Sequence, residues 1–332
     1  MKILINFGAI PRKSLLEYTF SWVNKDIDLI NSLSGYDVTI IKWKYTDFNN
    51  TNNFKVVDVD NILEYYDYTL HNKYDVYILE HSLFFSIKAK YPTSTLIGYQ
   101  SYDGPENHAI DSGFYLLTDS KANCIFTNEV ALLPDGSIHR IWNDRCNFIK
   151  RILNLKWYKT DTKVLSSIGW DDSIDLTDEK DLTELLDDIK VEQRGYNYGT
   201  VAYKKDSRII STSRGKRDKL FVKNFSVLHG EYRTILGNKM SLNIPVIDLL
   251  FKKYPQYSVV LHGHRQLYNC YTIPHYFDGT SESEDIVKNL PTKYFYAFNV
   301  ADHGYYAMFK DIKSAKTWVA MTVYEEVLLD IL

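Results

Sequence analysis

Three histidines in the last quarter of the chain form the pattern best able to do chemistry. His262 and His264 stand in the run SVVLHGH, and His303 stands in FNVADHG. Alternate residues of a β-strand point to the same side, so a strand through the first run would bring two imidazoles to one point, with Gly263 facing the other side. His303 ends a second apolar run and precedes Gly304, which allows a sharp turn or a close backbone approach.

These imidazoles predict a metal site. Three protein ligands that leave one coordination position open for water or substrate are typical of catalytic zinc centres. A metal held in this way can act as a Lewis acid on a carbonyl or an enediolate. We therefore expect Zn2+, or another divalent ion such as Mn2+ or Fe2+, at His262, His264 and His303.

The second half of the chain predicts a mixed α/β domain that would position these histidines. From Tyr198 onward, short β-type runs dominate, namely GTVAYKK, SRIISTS, KLFVKN, YSVVLHGH and YFYAFNVADHG. Helical patterns at about 245–253 and 314–328 intervene. An acidic stretch between Asp171 and Asp188 has leucines at helical spacing, which predicts an amphipathic helix with a solvated outer face.

The first half predicts a parallel sheet covered by helices. Its apolar runs are KILINF, VTIIKW, DVYIL, TLIGY and NCIFT. Strands that are covered on both faces have such continuous apolar runs, and helical segments at about 14–33 and 145–153 accompany them. We therefore expect two domains, a Rossmann-like parallel-sheet domain at 1–158 and a second α/β domain at 159–332.

Composition excludes several classes of protein. The 332 residues include 39 basic and 42 acidic side chains, and this balance gives no electrostatic footprint for nucleic acid or anionic lipid. Three cysteines without a CxxC pair exclude a disulfide scaffold or a cysteine zinc site and suit a reducing compartment. No apolar run approaches the roughly 20 residues of a membrane-spanning helix, and the N-terminal run is too short for a signal peptide. We expect a cytoplasmic protein without nucleic-acid or membrane partners.

From about Gly199 to Ala320, roughly 40% of its length, the chain resembles the class II aldolase/adducin head domain. The ordered landmarks are GTVAYKKDSRIISTSRG, KMSLNIP, KKYPQYSVVLHGH with Pro255 seven residues before His262, IPHYFDGT, VADHG and a helix containing Ala315. The resemblance implies a class II aldolase-like α/β fold and a divalent metal on the three histidines. It also implies a lyase or epimerase that converts a small carbohydrate (phosphate) or hydroxy-carbonyl substrate through a metal-stabilised enediolate, and a homotetramer.

The sequence departs from this family at positions that bind substrate and move protons. The family's acidic metal ligand and proton-transfer residue corresponds to Asn243, whose amide cannot hold or donate a carboxyl proton. Asp278 and His275, in IPHYFDGT, become candidates for the missing base, so the catalytic candidates are Asn243, Asp278 and His275. The family's substrate-binding elements correspond to Thr200, Ser213, Arg214 and Ser241.

Residues 1–155 have a weaker resemblance to the phosphopantothenate–cysteine ligase (CoaB-type) domain. It is carried by ILINFGAIP, YDVTIIKW, TLIGYQSYDGPENHAI and SKANCIFTNEVALLPDGSIHRIW. Asn128 and Glu129 match that family's Asn-acid pair, whereas its Gly-Gly-Thr opening is absent. The resemblance implies nucleotide (ATP or CTP) or anion binding at Gly8, Ala9 and Asn128.

Two alternatives to a metal-dependent enzyme stay open. Asn243 in place of the acid would suit a catalytically altered, adducin-like protein whose second domain oligomerises or binds a partner. The other alternative is a two-domain biosynthetic enzyme whose first half activates an acid with a nucleotide. The three histidines favour an enzyme over a scaffold, because a scaffold has no need of an open metal site.

Overall fold

In the computed structural model, the chain forms two compact units, Met1–Asn154 and Leu155–Ile331. The structure describes residues 1–7, 23–79, 83–99, 122–126, 130–133, 138–140, 145–155, 176–193, 196–205, 208–212, 222–228, 231–234, 241–292 and 295–322. Within these ranges, no helix is both long and apolar enough to cross a bilayer.

The first unit is a sheet accompanied by helices. Its strands are β1 (Lys2–Phe7), β2 (Asp37–Trp43), β3 (Lys55–Val59), β4 (Val76–Leu79), β5 (Thr95–Tyr99), β6 (Cys124–Phe126), β7 (Val130–Leu132) and β8 (Ile138–Arg140). Its helices are α1 (Val23–Ser32), α2 (Ile62–His71), α3 (Phe84–Lys90) and α4 (Arg145–Asn154).

The strand order of this sheet is β3-β2-β1-β4-β5-β6-β7-β8. Strands β1 to β6 are mutually parallel, and β7 and β8 extend the sheet in antiparallel pairing. The order of the six parallel strands is that of doubly wound nucleotide-binding sheets, in which the order reverses between β1 and β4. Ile3, Leu4 and Ile5 on β1 are all buried, as expected for a strand covered on both faces. The prediction of a Rossmann-like parallel sheet is confirmed.

The sequence analysis missed β3 and α2, although a start signal for α2 is present. Asn61 caps this helix, because its side-chain oxygen accepts hydrogen bonds from the backbone N–H groups of Leu63 and Glu64. The Glu64 carboxylate reaches back and accepts from the backbone N–H of Asp60 at 2.9 Å. An asparagine followed three residues later by a glutamate is a helix-capping pattern that could have located α2.

The second unit contains fourteen described elements in chain order. Its helices are α5 (Leu176–Ile189), α6 (Ile244–Lys253), α7 (Glu282–Asn289) and α8 (Ile312–Met321). Its strands are β9 (Val191–Gln193), β10 (Tyr196–Tyr198), β11 (Thr200–Lys205), β12 (Arg208–Thr212), β13 (Val222–Leu228), β14 (Glu231–Thr234), β15 (Val259–Gly263), β16 (Thr272–Ile273), β17 (Ala297–Val300) and β18 (Gly304–Phe309).

The main sheet of the second unit has the order β14-β13-β12-β11-β15-β18-β17-β16, and β9 pairs separately with β10. Neighbouring strands are antiparallel except β16 and β17, which are parallel. Helices pack on both faces. Val260 belongs to the core that includes α6 and α7, whereas Val259 and Leu261 belong to the core that includes α5 and α8. The mixed α/β class predicted for this unit is confirmed.

Two predicted helices of the second unit differ in their bounds. The acidic helix is present as α5 and buries a leucine-rich face, namely Leu182, Leu185, Leu186 and Ile189. The helix predicted for 314–328 begins earlier, because the carboxylate of Asp311 caps it by accepting from Ser314 N at 2.7 Å. It ends at Met321, and residues 323–328 lie outside the described part of the chain.

This cap predicts a pH-dependent contribution to stability. The backbone and side-chain hydrogen bonds from Ser314 lower the pKa of Asp311 below its ordinary value of 3.8. A carboxyl group with a lowered folded-state pKa stabilises the fold above its unfolded-state pKa, and this contribution disappears as the pH falls through the folded-state pKa. Asp311→Asn removes this titrating group. We therefore expect the Tm of the second unit to fall less in the variant than in the wild type when the pH is lowered below about 4. Calorimetry of both proteins over a pH series measures this, and parallel curves of Tm against pH would contradict it.

Candidate metal centre

The three histidines meet at one end of β15. His262 is the fourth residue of this strand, His264 follows the strand, and His303 ends the turn that joins β17 to β18. Their potential ligand atoms lie within 4.8 Å of one another. The expectation of one strand through both His262 and His264 needs correction, since β15 ends at Gly263, but the two Nε2 atoms are still only 3.2 Å apart.

The geometry of the paired imidazoles fits a divalent cation. Two nitrogens bound to a tetrahedral zinc ion at 2.0–2.1 Å are about 3.3 Å apart, close to the observed 3.2 Å. His262 Nδ1 lies 2.9 Å from the Tyr305 carbonyl oxygen, an acceptor that keeps the proton on Nδ1 and leaves the Nε2 lone pair available. His262 and His303 are both buried. The residues that could hold a metal are therefore His262, His264 and His303.

Two glycines allow the strands that carry these ligands to approach each other. Gly304 has φ +152°, and a Cβ atom there would collide with the carbonyl oxygen of Gly263. A Cβ atom on Gly263 would in turn collide with the ring of Tyr305, its partner in the β15–β18 register. Because neither position carries a side chain, the start of β18 lies directly against the end of β15. His303, one residue before β18, thereby reaches the other histidines.

An aromatic stack holds the plane of the His262 ring. The strand registers place Thr200, His262, Tyr306 and Phe298 in one row across β11, β15, β18 and β17. The Tyr306 ring stacks on His262, with 4.4 Å between centroids and 27° between planes. Phe298 in turn stacks on Tyr306, its own cross-strand partner, with 5.3 Å between ring centroids. All three rings are fully buried, so His262 has little freedom to rotate away from the other imidazoles.

Both candidates for the missing base lie beside His303. Asp278 Oδ2 is 3.6 Å from His303 Nε2, and both side chains are almost completely inaccessible to solvent. The centroid of the His275 ring is 5.7 Å from that of His303. Buried carboxylates are normally paired with a positive charge or coordinate a metal. A protonated imidazole, or a cation bound by the three imidazoles, would be such a partner for Asp278. The loop before α7 therefore places an acidic side chain beside the histidine cluster.

Neutral polar groups connect Thr200, the cross-strand partner of His262, to the start of α6. Ser241 Oγ lies 2.9 Å from Thr200 Oγ1, and Thr200 is the direct cross-strand partner of His262. Ser241 Oγ also accepts from the backbone N–H of Asn243 at 3.3 Å. Asn243 precedes α6 without capping it through its side chain, and its buried Oδ1 has no hydrogen-bond partner in the described part of the chain. Such a group can accept a hydrogen bond from a bound molecule or water.

Several predicted site residues lie outside the described residues. These are Gly8, Ala9, Asn128, Ser213 and Arg214.

Sequence reasoning missed three residues that surround the histidines. Tyr305 accepts from His262 through its backbone, Tyr306 stacks on the same ring, and Gln266 binds backbone carbonyls on both sides of the His303 turn. Of these three residues, only Tyr306 could have been suggested by the sequence, because it lies three residues after His303 on an apolar run. Burial raises the pKa of the Cys270 thiol, which favours its protonated form.

Neither a protein-family model nor a curated protein sequence matches the chain. Solved structures do match. The DNA/pantothenate metabolism flavoprotein from Streptococcus pneumoniae is 14% identical, with 46% of this chain and 97% of that chain covered and a TM-score of 0.38. The C-terminal domain of the coenzyme A biosynthesis bifunctional protein CoaBC is 16% identical, with 46% and 91% covered and a TM-score of 0.36. YgbL from Escherichia coli, named as an aldolase/epimerase/decarboxylase, is 16% identical, with 43% and 83% covered and a TM-score of 0.34.

The matching structures come from both groups that the sequence resembles. They include an L-fuculose 1-phosphate aldolase and a class II aldolase domain from Thermoplasma acidophilum, beside the CoaBC domain.

The glycine contact predicts a specific cost for adding one methyl group. Gly304→Ala would place a Cβ atom at positive φ and against the Gly263 carbonyl, so we expect the second unit to lose about 2 kcal/mol or more of unfolding free energy. Gly35→Ala, where nothing lies within 4 Å of the added Cβ, is the control and should change stability little. Chemical denaturation monitored by circular dichroism measures both. Equal stability of the two variants would contradict the proposed contact.

Proposed function

We propose that this protein is a divalent-metal-dependent lyase or epimerase that acts on a small carbohydrate, free or phosphorylated, or on another hydroxy-carbonyl compound. The observation that carries this proposal is the buried cluster of His262, His264 and His303, in which the Tyr305 carbonyl directs one ring nitrogen toward its neighbours. When bound, a divalent cation such as Zn2+, Mn2+ or Fe2+ supplies Lewis-acid polarisation of a substrate carbonyl and stabilises the enediolate.

Asp278 is the proton-transfer group in this proposal. Its carboxylate lies 3.6 Å from the ring of a candidate ligand and is screened from solvent. It accepts the proton from the carbon next to the substrate carbonyl, and the electron pair of that C–H bond moves into the new carbon–carbon double bond. In an epimerase, the same carboxyl group returns the proton to that carbon as the double-bond electrons re-form the C–H bond. In a lyase working in the condensing direction, these electrons form a bond to the carbonyl carbon of a second substrate, and the carboxyl group gives the proton to that substrate's carbonyl oxygen. His275, on the same loop and with its ring centroid 5.7 Å from that of His303, is the second candidate for proton transfer in this proposal.

Neutral groups bind the substrate oxygens in this proposal. Asn243 cannot act as an acid or a base, but its buried Oδ1 can accept a hydrogen bond from a substrate hydroxyl. Thr200 and Ser241 lie beside His262 and contribute hydroxyl groups. Ser213 and Arg214 complete the proposed substrate contacts, with the guanidinium suited to a phosphate or carboxylate. A homotetramer with sites at subunit contacts also belongs to this proposal.

The strand order of the first unit favours a second candidate function, a two-domain enzyme that also binds a nucleotide such as ATP or CTP. The strand order reverses beside β1, which ends at Phe7, and the candidates Gly8 and Asn128 come one and two residues after the ends of β1 and β6 in the sequence. Ligands of doubly wound sheets bind at such a point, outside the carboxyl ends of the strands. Calorimetric titration of the full chain with ATP and CTP distinguishes this candidate from the first. Absence of both metal and nucleotide binding would favour the adducin-like scaffold.

The proposed centre predicts the metal content of the purified protein. Protein prepared without a metal-affinity tag should contain close to one equivalent of divalent metal, and His262→Ala and His303→Ala should each lose it, because two imidazoles do not hold the ion firmly. Plasma mass spectrometry measures this. His71→Ala, an exposed histidine on α2, is the control and should retain the metal. A wild type without metal after incubation with zinc, manganese or iron would refute the proposed function.

The role assigned to Asp278 predicts a loss of proton transfer. Asp278→Asn should lower the rate of deuterium uptake from D2O into the accepted ketose or aldose by about 10²- to 10⁴-fold, the usual contribution of a general base. Proton NMR of dihydroxyacetone phosphate, or of another sugar accepted by the wild type, measures this. The metal content should remain, and Asp285→Asn on the exposed face of α7 should exchange at the wild-type rate. An unchanged rate in Asp278→Asn would assign proton transfer to another group.

A further inference from the structure

The side chain of Gln266 spans the turn that carries His303. Its Nε2 donates to the carbonyl oxygen of Val300 at 2.9 Å and to that of Gly304 at 3.4 Å. These carbonyls stand on either side of residues 301–303. Gln266 itself is only two residues beyond His264. One amide group therefore connects the segment of the second histidine to both ends of the turn of the third.

A second amide strengthens the same connection. Asn299 Nδ2 donates to the Leu267 carbonyl oxygen at 2.9 Å, and Leu267 N donates to Asn299 Oδ1 at 2.8 Å. Asn299 lies on β17 and is 3% exposed, so water competes little for these hydrogen bonds. The backbone that follows Gln266 is thereby fixed to the strand that leads into the His303 turn.

Strand pairing alone does not set the distance between His264 and His303. The register of β15 with β18 ends at the pair Gly263 and Tyr305, one residue before His264. The His303 turn is closed by a hydrogen bond from its backbone N–H to Val300 at 3.2 Å, which fixes the shape of the turn but not its distance from β15. Both ligands thus lie just outside the sheet, where side-chain hydrogen bonds add to the backbone contact at Gly304 in holding them in place.

We propose that Gln266 is a positioning residue of the metal centre, which sets the separation of His264 and His303 without touching the cation. This inference rests on the proposed metal site. Each N–H of the amide donates to a different carbonyl oxygen. A side chain of equal length without these donors would break both hydrogen bonds, and the two carbonyl groups could then move. The His303 turn can then move relative to His264, and the cost appears when a cation requires all three imidazoles at fixed distances. Partners that orient metal ligands typically change affinity by about 10- to 100-fold when removed.

The test compares Gln266→Met and Gln266→Glu with the wild type. Gln266→Met keeps the length of the side chain and removes both donors, whereas Gln266→Glu places a carboxylate against two carbonyl oxygens. We expect the dissociation constant for Co2+ and Zn2+ to rise about 10- to 100-fold in Gln266→Met and at least as much in Gln266→Glu. The visible d–d absorption of the Co2+-loaded protein should also change, because the angles between the imidazoles change. Chelator competition and absorption spectroscopy measure these effects.

Asn50 in the first unit provides a control, as an amide that binds backbone groups away from the histidines. It makes the same reciprocal pair as Asn299, with its amide donating to Phe54 O at 2.7 Å and accepting from Phe54 N at 2.8 Å, but it lies in the other unit. Asn50→Leu should leave the metal affinity and the Co2+ spectrum unchanged. Melting of the metal-free proteins separates a loss of folding from a loss of positioning.

The outcomes distinguish this inference from the proposed function. If the wild type binds metal and both Gln266 variants bind it within two-fold of the wild type with the same Co2+ spectrum, the positioning role is wrong and the metal site stands. If Gln266→Met melts far below the wild type when metal-free, Gln266→Glu decides, and a normal spectrum there also overturns the role. If the wild type binds no metal, both the site and the inference fail.

Discussion

The backbone of β18 comes so close to that of β15 at Gly304 that this residue has no room for a Cβ atom, and the Tyr305 ring fills the space that a side chain on Gly263 would need. The strand register at this contact places Tyr306 beside His262, and the contact brings the His303 turn to the end of β15. A methyl group on Gly304 would push the strands apart, and one on Gly263 would displace the Tyr305 ring. The position of the third imidazole is therefore determined by the absence of side chains at two other residues as much as by hydrogen bonds.

A fully buried histidine in an aromatic row has an energetic cost, since a polar ring loses its contact with water. The Tyr305 carbonyl offsets part of that cost at Nδ1, and the neighbouring His264 faces Nε2. The same burial lowers the local dielectric constant, which strengthens every charge interaction at the centre. Asp278 lies in the same buried environment. The burial that makes the aromatic row costly to fold therefore also strengthens the electrostatic interaction between the Asp278 carboxylate and the imidazoles.

Short-range patterns accounted for much of the fold. The apolar runs located most strands of the first unit, and the alternation in SVVLHGH with the glycine after His303 anticipated that three imidazoles could converge. The capping pattern at Asn61 was present but unused. Other features depend on long-range pairing, which no local pattern encodes. The sheet order β3-β2-β1-β4-β5-β6, the stacking of Tyr306 and the contacts of Gln266 follow from which strands and loops become neighbours. The approach of Asp278 to His303 belongs to the same group, because it depends on the path of the loop before α7.

The glycine contact also bears on how such a centre can change during descent. Replacing a ligand histidine removes the metal but leaves the strands packed, whereas replacing Gly263 or Gly304 disturbs the sheet itself. Selection for folding alone would thus preserve both glycines in a descendant that had abandoned the chemistry. In such a lineage the histidines of the HGH and DHG motifs would be replaced first, and the glycines would be retained. Both glycines in a relative would therefore indicate the same strand packing, whereas only the histidines would indicate a metal site.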